Sequence, residues 1–229
     1  MRANLNVFFR LSWVVIVVMV ASSAGALADE SDPNRIDFRW VLAGLAKDAA
    51  PFQLVNLSSD ASLHSGDKLK VYLKTRSKCF FYLLHRDPHG RLTLLYPSSL
   101  PTHALEPGTQ ITLPVQDQWF ELDEQIGTET FHVLVSPVPL RSVETLYAEY
   151  REQGARSGPA LTRLLSVIER LSHQQRPLTS KAERPVSIGG TIRGGPDKDP
   201  DVILERMDRL AEDIVLDSAF CRTYTIEHH

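Results

Sequence analysis

The sequence predicts an α+β fold: an antiparallel β-sandwich or barrel-like domain with C-terminal helices packed on it. Three observations predict it. Between Phe38 and Val135, apolar residues recur at a period of two in short runs closed by Gly, Pro and Asp turns. Such spacing makes roughly seven or eight strands, the sequence mark of a sandwich or barrel. After Pro139 the apolar spacing lengthens to that of a helix. The chain has 229 residues, 43% of them hydrophobic, enough for one sizeable core or one core with an appendage.

The N-terminus comes first. Arg2 and Arg10 flank a short polar start, Leu11 to Ala21 is a compact apolar run, and Ala26-Leu27-Ala28 is a small-x-small cleavage signal. The order predicts a secretory signal peptide over residues 1–28; a retained anchor is the alternative, although the run is short for a spanning helix. Cleavage removes two arginines and no acid, leaving 23 basic and 28 acidic residues, a net charge of −5 against −3 for the full chain. The mature protein is expected to be periplasmic or secreted, with no membrane span after signal cleavage. Its negative charge argues against nucleic acid as a partner.

Asp29 to Arg35 reads as a leader. Phe38, Trp40 and Leu42 then alternate with Asp37, Arg39 and Val41, and Phe52 to Leu57 is a second candidate strand. Ser65-Gly66-Asp67 is a turn. Leu69, Val71 and Leu73 alternate with Lys68, Lys70, Tyr72 and Lys74, which predicts one buried and one solvated face. Cys79 to Leu84 is apolar on both faces and suits a strand covered twice. Asp87-Pro88-His89-Gly90 has the residues of a tight turn, and "LTLLY" returns as the second arm of a hairpin before Pro97 ends the ladder. Leu94 in that arm is expected to be buried. Ile111 and Leu113, then Phe120 and Leu122, then Phe131, Val133 and Val135 mark the remaining strands of a domain spanning residues 29–140.

Two helical stripes follow in residues 141–173: Val143, Leu146, Tyr147 and Tyr150, then Leu161, Leu164, Leu165 and Ile168. Each stripe is narrow, so each helix is expected to lie on the sandwich with one face wet. Residues 174–199 are rich in Pro, Gly, Ser and charge and read as a linker, with one short extended piece at Val186 to Ile192. Residues 200–229 read as a C-terminal helix and strand. Asp199-Pro200 opens the helix, Ile203, Met207, Leu210 and Ile214 share its face, and Tyr224 and Ile226 share a face of the strand.

In the middle of the chain, "SGDKLKVYLKT", "CFFYLLHRDPHGRLTLLYPSS", "LEPGTQITLP" and "FHVLVSPVPL" occur in that order. Together they resemble a bacterial domain-of-unknown-function family, number 4384, over about residues 55–140. The resemblance implies a small β module of exported or multidomain bacterial proteins, sometimes beside kinase-like or caspase-like domains. It implies no catalytic residue. Cys79 departs from the pattern, standing where a Gly, Asp or other polar residue is expected.

The chemistry-bearing residues are sparse. His85 and His89 bracket a Pro-Gly turn with Asp87 between them, and His228-His229 close the chain; the first pair reads as solvated turn residues and the second as a frayed end, so no metal site is expected. Gly189-Gly190 and Gly194-Gly195 flank Arg193 and could cradle an anion, but no Gly-Lys-Ser/Thr follows to make a nucleotide loop. No Gly-x-Ser-x-Gly marks a nucleophile, and no catalytic residue or cofactor is assigned. Trp119, beside Gln116, Asp117 and Gln118, and Tyr96 are the aromatic candidates for a ligand-binding face; Arg193 is the basic one. Cys79 and Cys221 leave two readings open: one disulfide closing a long loop, or two buried thiols.

These readings lead to a non-catalytic exported binding or accessory module of the bacterial cell envelope, meeting another envelope protein or a glycan. The alternative is an envelope hydrolase acting on peptide or glycan, with a loop-built active site. A base within hydrogen-bond reach of a nucleophile in a polar cleft would favour the enzyme.

Overall fold

The computed structural model describes residues 32, 34–47, 53–154, 158–175 and 200–229. The signal peptide, Arg193, the Gly-rich stretch and almost all of the linker, including its extended piece, lie outside the described residues.

Among the described residues, eleven strands form two antiparallel-rich sheets. The first sheet runs β10 (Glu212–Leu216), β1 (Ile36–Leu45), β4 (Lys68–Thr75), β7 (Gln110–Leu113), with β2 (Val55–Asn56) beside β1 and β8 (Phe120–Glu121) beside β4. The second runs β3 (Asp60–Leu63), β11 (Phe220–His228), β9 (Gly127–Ser136), β5 (Phe80–Arg86), β6 (Leu92–Tyr96). The sheets face each other across the largest core, where Phe38, Trp40, Leu42, Val71 and Leu73 meet Phe81, Leu83, Val133 and Tyr224. Each of these lies at an alternate position of its strand, as the pleat requires.

Helices cover both outer faces. α1 (Arg141–Gln153) and α2 (Pro159–His173) pack through Val143, Tyr147, Leu164 and Ile168 on Tyr82, Leu134 and Cys221 of the second sheet. α3 (Pro200–Leu210) packs through Ile203 and Met207 on Val41, Ala43 and Tyr72 of the first. The sandwich with C-terminal helices is therefore the fold, and α1 and α2 fall where the 3.6-residue spacing put them.

Several local expectations change. The outer face of β4 is not solvated. Tyr72 is fully buried beneath α3, and Lys70 is 2% exposed. The Lys70 ammonium donates to the carbonyls of Pro114 (3.2 Å), Gln116 (2.8 Å) and Gln118 (2.5 Å). Burial lowers its pKa, with Asp117 acting in the opposite sense. Ile214 does not extend α3. The helix ends at Leu210, and Ile214 points into the inter-sheet core from β10, which pairs with β1 from Ile36↔Leu216 to Trp40↔Glu212. Leu94 is half-buried rather than fully buried, because β6 is an edge strand beneath α1.

The C-terminal strand is an interior member of the second sheet. β11 lies between β9 and β3, and its parallel pairing with β3 runs from Thr225↔Asp60 to His228↔Leu63. The chain end is not frayed. His228 is buried, its ring lies 3.0 Å from the Ser65 hydroxyl, and the His229 N–H donates to the Leu63 carbonyl at 2.9 Å. The two cysteines are free thiols on opposite faces of the second sheet. Cys79 lies in the inter-sheet core and Cys221 under α2, so the disulfide reading gives way to the buried-thiol one. Burial pushes both thiols up to about 12, away from thiolate chemistry.

Candidate functional site

The sequence candidates are placed apart. Tyr96 ends β6, half-buried, with its ring stacked on Phe81 at 5.2 Å. Trp119 is half-buried against the α3 layer, and the Lys70 ammonium sits 5.1 Å from its ring centroid. It closes over the lysine that holds residues 114–118, so its polar neighbours in sequence did not make it an exposed platform. Cys79 and Cys221 are core residues.

Two polar places were not singled out as sites. The first is a groove between β6 and the C-terminal half of α1, with a cavity of about 340 Å³ lined by Arg91, Leu92, Thr93, Tyr147, Tyr150 and Arg151. Local chemistry fixes each wall. The Asp87 carboxylate accepts the Arg91 N–H at 2.8 Å and the Arg91 guanidinium at 3.2 Å, and the Gly90 N–H donates to the Asp87 carbonyl at 2.8 Å. Gly90 has φ of 81°, a conformation open to glycine at little cost. The same turn packs against the start of β9, where a Cβ on Gly127 would lie 2.9 Å from Pro88.

The helical wall is set by Tyr82. Its hydroxyl donates to Glu144 at 2.9 Å and accepts the Leu140 N–H at 3.0 Å, which anchors the start of α1 on β5. Glu144 also takes the Thr102 N–H at 3.2 Å and an Arg141 guanidinium N–H at 3.1 Å, so this 7% exposed carboxylate is well supplied with donors. One and two turns on, the Tyr147 and Tyr150 hydroxyls accept the N–H groups of Leu94 (2.8 Å) and Leu92 (2.9 Å). They close the outward edge of β6. Gly154 ends the helix in the left-handed conformation, φ 59°.

The second place is the end of the sandwich where β11 finishes. Ser65 Oγ lies 3.0 Å from His228 Nε2, His228 Nδ1 lies 3.9 Å from Glu129 Oε1, and the other Glu129 oxygen pairs with His85. Thus His85, expected as a solvated turn residue, is a partner of a buried carboxylate. The signal was in the register: β5, β9 and β11 bring residues 85, 129 and 228 to one face of one sheet end. Among the described residues no group of three or more His, Cys, Asp or Glu could hold a metal ion. Among them, too, no helix is long and apolar enough to cross a membrane.

Comparison with curated proteins and with solved structures gives no match. Residues 62–139 match the family model described as a domain of unknown function, DUF4384, a stretch that contributes β4 to β9 and one wall of the groove, while α1 supplies the other wall from outside it.

Proposed function

We propose that this protein is a non-catalytic, exported binding or accessory module of the bacterial cell envelope, and that its ligand enters the groove between β6 and α1. The observation that supports this reading is the groove itself. It is a concave site within the size range of small-molecule pockets, walled by two guanidinium groups and two phenols. The export half rests on the order of the N-terminal residues: flanking arginines, a short apolar run and Ala26-Leu27-Ala28. The partner class is an envelope protein or a glycan.

One observation favours the second reading, an envelope hydrolase. Ser65, His228 and Glu129 stand in the order of a nucleophile, base and orienting acid. Against it, the His228 side chain is 0% exposed and the cavity described above has other walls.

The two readings separate in one experiment. The purified protein is immobilised, exposed to soluble envelope fragments, and the material released from it is weighed by mass spectrometry. The binding reading expects intact fragments, retained equally by Ser65→Ala. Shortened fragments that disappear with Ser65→Ala would make the protein a hydrolase.

A further inference from the structure

The chemistry of the groove restricts what it can hold. β6 is an edge strand, and such edges commonly recruit an added strand through their outward N–H groups. Here the Leu92 and Leu94 N–H groups already donate to Tyr150 and Tyr147. An added strand would find both donors taken. The two phenol rings are 5% and 6% exposed, so their faces offer no stacking platform for a sugar or a base. What they offer is their hydroxyl edge. Each phenol has accepted an N–H and has its own proton left to donate.

The remaining walls are cationic. Arg91 and Arg151 line the cavity. Arg86 stands directly opposite Leu92 in the β5–β6 register, and residues paired in this way share a face of the sheet. Its Nε is buried without a hydrogen-bond partner among the described residues, and so is Nε2 of His132, on the same sheet face. The His132 ring is held neutral, down to about 4, by burial first and then by Arg86 and His85. The shift is mainly one of burial, with the Arg86 and His85 charges adding to it in the same direction. Of the nearby acids, Glu149 pairs with Arg163 at 2.6 Å, and Asp87 takes the Arg91 backbone N–H and its Nε–H at 3.2 Å, so an incoming anion would meet the terminal nitrogens of that guanidinium. Arg151, in the last turn of α1, also offsets the negative end of the helix dipole.

We infer that the groove between β6 and α1 is an oxyanion site, taking a carboxylate or phosphate group between the Arg91 and Arg151 guanidinium groups with the Tyr147 and Tyr150 hydroxyls as further donors. The inference deepens the binding reading and rests on it. Guanidinium forks match both anions, and phenol donors fix which oxygens face inward. The ligand is a small acidic molecule, or the acidic end of a larger one, and not an extended strand.

The test is calorimetric titration of the purified protein with succinate, with inorganic phosphate, and with glycerol as the neutral control, at low and at physiological salt. Binding of succinate or phosphate and no binding of glycerol is expected; the tighter of the two names the anion. The R91A/R151A pair should weaken that binding at least tenfold, with R91K/R151K in between, because lysine keeps the charge and loses the fork. Arg91 is 67% exposed in its side chain and Arg151 is exposed, so both variants are expected to melt like the parent. Binding that R91A/R151A leaves unchanged, or no binding of either anion at low salt, would overturn the oxyanion site. In the latter case, an intact neutral envelope fragment retained by the immobilised protein and displaced by Tyr150→Phe would preserve the binding reading alone.

Discussion

The groove and the β11 end of the sandwich hold similar numbers of polar side chains but treat them differently. At the β11 end, polar groups face one another inside the protein, although Nδ1 of His228 is buried without a hydrogen-bond partner among the described residues. The Ser65 N–H donates to the His229 carbonyl at 3.2 Å, the Ser65 hydroxyl meets His228, and Glu129 is shared by His85 and His228. At the groove, the backbone is satisfied by phenols, and the guanidinium groups of Arg91, held at Nε by Asp87, and of Arg151 line a cavity wall. Residue types that suggest chemistry thus close the fold, and residues that suggest nothing in sequence line the open site. On the proposed reading, donors left on an open wall, rather than catalytic-looking residues, mark the binding face.

The largest effect is expected at the chain end. If β11 is an interior strand, deleting Phe220–His229 strips both β9 and β3 of a neighbour and removes Phe220, Tyr224 and Ile226 from the inter-sheet core. The truncated protein is expected to lose its cooperative urea transition altogether. A truncated chain that still unfolds in one sharp transition would mean that the tail is dispensable to the core.

Smaller changes test the ties themselves. His228→Ala removes a buried ring facing Glu129 and Ser65, and is expected to cost about 2–3 kcal/mol in urea denaturation. Ser65→Ala removes one hydrogen bond and is expected to cost about 1 kcal/mol. Equal and negligible losses from both would mean that this end is not closed by its polar ties.

On the groove side the measurable effect is pH dependence. His132 is buried and held down to about 4, from 6.5 in the unfolded chain. As pH falls through that window the unfolded state takes up a proton that the folded state refuses. Stability should therefore fall from about pH 6.5 to about pH 4 and this contribution should level off below. The loss from this ring alone is about 3 kcal/mol. His132→Gln should flatten that part of the stability profile; a parallel profile would mean that the ring is not buried in its neutral form.

Legibility follows the range of the forces. The β5–β6 hairpin could be read because Asp87, Pro88 and Gly90 set their turn locally, and α1 and α2 because their stripes are local too. β3 could not: "DASL" has no strand pattern, and it is a strand because β11, more than a hundred and fifty residues later, pairs with it. Ile214 fitted the helical spacing of Ile203, Met207 and Leu210, and only pairing with β1 makes it a strand residue. Lys70 looked solvated because its partners are backbone carbonyls, which carry no sequence signal. The groove shares this property. Tyr147 and Tyr150 were visible as an apolar helix face, but their hydroxyl bonds to β6 depend on how that helix docks. The Ser65–His228–Glu129–His85 cluster needed the register of three strands before its members could meet.

The most direct test of the groove as the binding face is site-specific photo-crosslinking in the native host. A photoreactive residue is placed at Thr93, exposed on the groove wall, and in a second strain at Ser62, exposed on β3 at the tied end. The intact mass of the recovered protein is then measured. An adduct formed from Thr93 and absent from Ser62, and lost again when Arg91 and Arg151 are both alanine, is the expected result. An adduct formed from Ser62 and not from Thr93 would contradict the account and move the functional surface to the Ser65 end.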